Sequence, residues 1–164
     1  MRAMQATTSS THWGAGRTIF LAGFTAGLAD FCYASGMTLY KGGSVLNMWK
    51  GVAGGLVGQT ARDGGLEMTL LGIALHFFIM FGAATLFYLI ARRVRWFADR
   101  PLVSGILLGL AFLATMNYVI LPLSAIGRPI YVGTETLLRT AFWHIVLAGL
   151  PIAWFVSKGL KPAR

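Results

Sequence analysis

The chain has 164 residues, 56% hydrophobic and only 12% charged, where soluble domains carry roughly a quarter charged residues; this excludes an ordinary soluble domain and suggests one membrane-embedded unit. The net charge of +9 arises from 14 Lys and Arg against 5 Asp and Glu, but the basic residues sit between apolar runs instead of along an aromatic-rich groove, which argues against a nucleic-acid binder. Cys32 is the only cysteine, so no intrachain disulfide and no two-cysteine metal site can form.

Residues 1–17 are polar and rich in Ser and Thr, and read as a mobile N-terminal tail. A single transmembrane domain is expected over 18–158, followed by a basic tail at 159–164. A bilayer core about 30 Å thick takes about 20 helical residues. Four stretches meet that length, at about 18–40, 68–91, 102–126 and 136–156. The first is interrupted only by Asp30, the second carries no charge, and the fourth has Arg139 near its start. Helices pair their backbone amides within the segment, as lipid requires. The predicted fold is all-α, an integral membrane four-helix bundle. The first apolar run is too long for a signal-peptide core and lacks a convincing cleavage site, so it reads as a retained anchor.

Between the first two spans, Val45, Trp49, Val52 and Leu56 recur at helical spacing. This predicts an amphipathic helix over about 44–59, interfacial or re-entrant. Gly51, Gly54, Gly55 and Gly58 weaken it as a free helix but suit close packing. Arg92, Arg93, Arg95 and Arg100 crowd the gap between the second and third spans. The positive-inside rule places that gap in the cytoplasm and therefore both termini there too. Arg17 and the Lys158, Lys161, Arg164 tail agree.

Two small-xxx-small pairs stand out, Gly23/Gly27 in the first span and Gly105/Gly109 in the third. They predict close helix approach in the cytoplasmic half, between those two helices or in a dimer. The more informative pattern is a polar layer. Asp30, His76, Asn117 and His144 fall one per span at a similar depth, roughly 12–15 Å from the outer boundary at 1.5 Å per residue. Tyr33, Tyr118 and Thr115 could extend it. Intramembrane ionisable groups are costly and mark functional or paired positions. An Asp–His pair could hold or relay a proton. Two facing His could ligate a metal or a haem iron, and a missing Soret band in haem-supplied protein would remove the haem reading. The alternative is a hydrogen-bonded network that only fixes helix register, as in a scaffold or assembly factor.

Weaker features have bland explanations. Glu135 and Arg139, four apart, form a local helix pair. Trp13, Trp49, Trp96 and Trp154 fall near span boundaries as interfacial anchors. Pro122 bends or ends the third span. The scattered methionines serve packing better than copper. No Gly-x-Ser-x-Gly, His-Glu-x-x-His or Walker loop occurs, which argues against a conventional enzyme. No cofactor or structural metal is expected. The lipid bilayer is the expected partner, with a second copy or another membrane protein compatible with the pattern.

The segments Asn47–Gly58, Gly64–Tyr88 and Met116–Ala125, with the Leu-His-Phe, the Met-Asn-Tyr…Pro-Leu-Ser and the late His, resemble small four-span bacterial inner-membrane proteins of unassigned function. They are similar, more distantly, to the YagU-type proteins. The resemblance covers roughly 20–158 and implies that His76, Asn117 and His144 are family features, whereas Asp30 matches none of its motifs. It implies a fold and a membrane but no activity.

Overall fold

A computed structural model describes residues 13–161; the expected tail over residues 1–12 and 162–164 lies outside them. Helix follows the apolar runs closely. α1 spans Ala15–Tyr40, α4 spans Leu66–Arg93, and the other two long stretches run over Pro101–Leu123 and Thr134–Leu160. All four are long and apolar enough to cross a membrane. α1 begins three residues before the expected start, so Ala15 to Arg17 belong to the helix and not to the tail.

Short helices fill the connections. α2 (Val45–Val57) and α3 (Thr60–Asp63) lie between α1 and α4, and α5 (Arg95–Asp99) links α4 to the third span. Ser44 caps α2, its hydroxyl accepting from the Asn47 N–H at 3.3 Å, a common way to satisfy a free amide of the first turn. Gly58 ends α2 at φ +73°, a conformation that costs glycine little.

The third and fourth spans are not uniform. α6 (Pro101–Thr115) passes into a π-helical turn, Met116–Ile120, before α7 (Leu121–Leu123). α8 (Thr134–Trp143) passes into a second π turn, His144–Gly149, before α9 (Leu150–Leu160). Each turn closes with an i→i−5 bond, Leu121 N–H to the Met116 carbonyl and Leu150 N–H to the Ile145 carbonyl. The next residue in each case is a proline, Pro122 or Pro151. Proline lacks an N–H and its ring presses on the carbonyl four residues back. Widening the preceding turn relieves that contact, and such π turns concentrate at functional positions.

The bundle has two unlike ends. At the terminal end, Arg95 Nη1 donates to the Leu160 carbonyl at 2.8 Å, and Ser104 Oγ donates to the Phe97 carbonyl at 2.9 Å. Three cations sit over tryptophans there: Arg17 over Trp13, Arg100 over Trp96 and Lys158 over Trp154. The adjoining half is tightly packed around Ala22, Ala26, Ala84, Phe87, Ile152, Ala153 and Val156. The opposite end, here the loop end, carries α2, α3 and the 124–133 connection, and encloses a cavity.

Small residues set these packings. A Cβ on Gly23 would meet the Phe81 ring, and one on Gly27 the Phe77 ring, both on α4. Cβ atoms on Gly105 and Gly109 would meet Leu150 and Ile145 of the fourth span. The two glycine pairs thus face different partners and do not face each other. Gly149, read only as part of an apolar run in the sequence, packs directly on the Gly105 carbonyl.

α2 packs closely against α4. Gly72 of α4 meets the Trp49 carbonyl so closely that any side chain there would strike backbone. Thr69 Oγ1 donates to the Leu46 carbonyl at 3.4 Å. Trp49, which reads from the sequence as an interfacial anchor, is only 2% exposed. It stacks on Phe31 at 4.7 Å and donates through Nε1 to Ser35 Oγ at 3.2 Å.

Candidate ligand site

Asp30, His76 and His144 reach the same depth by simple counting. Asp30 lies ten residues before the end of α1, and His76 and His144 ten after the starts of α4 and α8. At 1.5 Å per residue each lies about 15 Å from the loop-end terminus of its span. All three line one cavity of about 760 Å³, within the usual size of small-molecule sites. All four spans contribute to its wall, while α2, α3 and the 124–131 connection cover it.

His76 is held on three sides. Trp49 and Phe77 pack edge-on against its ring at 5.1 and 5.3 Å. Its Nε2 lies 2.9 Å from the Gly27 carbonyl. A carbonyl only accepts, so Nε2 carries the hydrogen and Nδ1 of the neutral ring is left with its lone pair. That Nδ1 lies 3.9 Å from Asp30 Oδ2. Two acceptors therefore face each other across a gap too long for a direct hydrogen bond. A proton on the imidazole or on the carboxyl, or a donor between the two groups, resolves the conflict. The His76 side chain is 10% exposed and that of Asp30 27%, so the pair is open to the cavity on the Asp30 side.

His144 repeats the arrangement from the fourth span. Its Nδ1 donates to the Thr140 carbonyl at 2.9 Å, leaving Nε2 as the free acceptor. Phe112 packs on the ring at 5.6 Å and Tyr131 edge-on at 6.2 Å. Each imidazole is thus oriented by a backbone carbonyl through one nitrogen, and its second nitrogen remains available.

Asn117 does something different. It is fully buried and does not line the cavity. Its Oδ1 accepts from the Ile130 and Tyr131 N–H groups at 3.2 and 3.0 Å, and its Nδ2 donates to the Tyr131 carbonyl at 2.9 Å. It pins the 124–133 connection to the third span and sets Tyr131, which does line the cavity. Burial, reinforced by the Asp30 carboxylate, raises the Tyr131 phenol above its ordinary value, so the group stays a neutral O–H. Of the sequence-derived set, Asp30, His76 and His144 come together and Asn117 stands behind the wall. Tyr33 closes another side by packing on Trp143 with tilted rings at 4.2 Å.

The cavity also collects residues that the polar-layer argument missed. Lys50, Arg62, Arg128 and Arg139 all line it, from α2, α3, the 124–133 connection and α8. The available signal was their side of the bundle. The orientation expected from the sequence would leave that side poor in basic residues, yet every Lys or Arg there except Lys41 borders the cavity. Among the described residues, no three His, Cys, Asp or Glu side chains come together as a metal site. No protein-family model, curated protein or solved structure matches this chain.

Proposed function

We propose that this chain is a multi-pass protein of a bacterial inner membrane, with both termini cytoplasmic, whose loop-end cavity takes up a proton, an ion or a small polar ligand. The observation that carries this reading is the Asp30–His76 couple in the cavity wall, 3.9 Å apart with two acceptors face to face. At that distance the two groups make no direct hydrogen bond with each other. Here the gap is left for a proton or a donor from outside the chain. His144 supplies a second acceptor in the same cavity, and the π turn beginning at His144 gives its helix an irregular stretch at that level.

A second reading is favoured by Asn117 and by the carbonyl anchors of both histidines. Asn117 is satisfied within the protein and each histidine is fixed through one ring nitrogen, as in a scaffold whose polar groups fix helix positions. Asp30→Asn, His76→Gln and His144→Ala in vesicles separate the two. Loss of pH-dye-reported proton movement or of ligand uptake, at unchanged melting temperature, supports the site. Lowered melting with no change in transport or binding supports the scaffold.

A further inference from the structure

The rim and the walls of the cavity differ in chemistry, and the difference selects a ligand class. Lys50, Arg62, Arg128 and Arg139 come from four separate segments and converge on one cavity. The acidic residues of the same end, Asp63, Glu67 and Glu135, do not line it. Among the described residues, Lys50, Arg62 and Arg128 make no salt bridge; Arg139 makes one, to Glu135 at 3.4 Å, with both side chains largely exposed. Basic residues on this side work against the orientation that the arginine-rich 92–100 segment imposes, so a role in topology does not account for them. Below them the walls are largely apolar, including Leu75, Ile79, Met80, Phe112 and Met116, with Asp30 the carboxylate among them and His76 and His144 beside it in the lining. Cations over a low-dielectric cleft concentrate the field on an entering anion.

We propose that the ligand of this cavity is an amphipathic anion: a phosphate, sulfate or carboxylate head held by the arginines and lysine of the rim, and an apolar body lying between the spans. This rests on the reading of the cavity as a ligand site and names what it takes. The head engages Arg62 and Arg128, whose planar guanidinium groups suit oxyanions. The body runs along Phe112 and Met80 towards Asp30 and His76, where a hydroxyl or amine on the ligand would satisfy the two facing acceptors.

Trp49 and Trp143 line the cavity and serve as built-in reporters, because bromine quenches tryptophan fluorescence on contact. The full chain is placed in nanodiscs of uncharged phosphatidylcholine and titrated with 11-bromoundecyl sulfate, 11-bromoundecanol and 11-bromoundecyltrimethylammonium. The expected result is saturable quenching by the sulfate alone. In an Arg62→Gln/Arg128→Gln variant its half-saturation should weaken by about tenfold or more, the scale of a lost charge-assisted contact. A parallel titration with brominated phosphatidylglycerol tells the source: saturable, arginine-dependent quenching there identifies a membrane lipid, and quenching by the sulfate only identifies a soluble amphiphile. Equal saturable quenching by all three single-chain probes, or no weakening in the variant, overturns the anion assignment and leaves the ligand site standing. No saturable quenching by any probe overturns both.

Discussion

Asn117 shows how one buried amide can organise a cavity wall without lining the cavity. Its three hydrogen bonds hold Ile130 and Tyr131 against the third span, and Tyr131 in turn packs on His144. Asn117→Ala leaves two backbone N–H groups and one carbonyl unpaired, and each unsatisfied buried group costs about 1–3 kcal/mol. Water reaching the connection offsets part of this, so the expected loss is about 2–3 kcal/mol of stability in denaturant unfolding. Asn117→Asp keeps the acceptor for both N–H groups but sets a carboxylate oxygen against the Tyr131 carbonyl, and should fall between the two. An unchanged unfolding midpoint in Asn117→Ala would show that the connection is held by something else. The residues of the site were legible in part. Asp30, His76 and His144 stand out because ionisable groups are rare in apolar runs, and equal helix depth follows from counting. Asn117 shares the polarity but not the depth, lying only six residues from the end of its span at Leu123. The basic rim and Trp49 were hidden because loop charges and boundary tryptophans have ordinary explanations that only their convergence overrides.

At the scale of elements, the placement of α2 rests on one glycine. Gly72 lets the α2 backbone at Trp49 come into contact with α4, and that crossing brings Trp49 onto His76. Gly82, ten residues further along α4, has open space where a Cβ would be. The same substitution should therefore have opposite signs at the two positions. Gly82→Ala gains about 0.5–1 kcal/mol from helix propensity. Gly72→Ala forces α2 away from α4 and should cost about 1–3 kcal/mol or more, the range for overpacking a close contact. Paired thermal melts in detergent check the sign, and Trp49 fluorescence in Gly72→Ala should shift as its ring leaves the bundle. If Gly72→Ala is as well tolerated as Gly82→Ala, α2 is not docked as described. Length and apolarity made the four spans readable, and helical spacing made α2 readable as a helix. Its docking was not readable, because the glycines that weaken a free helix are the same residues that permit contact. The π turns also escaped. Pro122 and Pro151 mark them, but proline alone does not distinguish a kink, an end or a widened turn. One extra residue in a turn shifts the helix face by about 100°, so strict periodicity cannot be carried from α8 into α9.

For the whole molecule, two sets of basic residues lie at opposite ends. Arg92, Arg93, Arg95 and Arg100 lie in or beside α5 at the terminal end, all exposed, and Arg95 also holds the end of α9. Lys50, Arg62, Arg128 and Arg139 border the cavity at the other end. If both sets acted only on orientation they would oppose each other, and the margin between the two ends would be narrow. Retained basic residues near span ends set topology, and adding or removing a few can invert it. Neutralising Arg92, Arg93 and Arg100 to Gln, with Arg95 kept for its bond to the Leu160 carbonyl, should therefore produce a mixed population, part of it with the 92–100 segment translocated. Neutralising Arg62 and Arg128 should leave orientation unchanged or reinforce it, while weakening anion binding at the cavity. Reporter fusions after Lys161 read the first outcome, and the fluorescence titration reads the second. A uniformly correct orientation after loss of the three arginines would place the topological signal elsewhere, in the packing of the spans themselves. The loop-end cations would then carry no topological cost, and their convergence on the cavity would have to stand as evidence by itself.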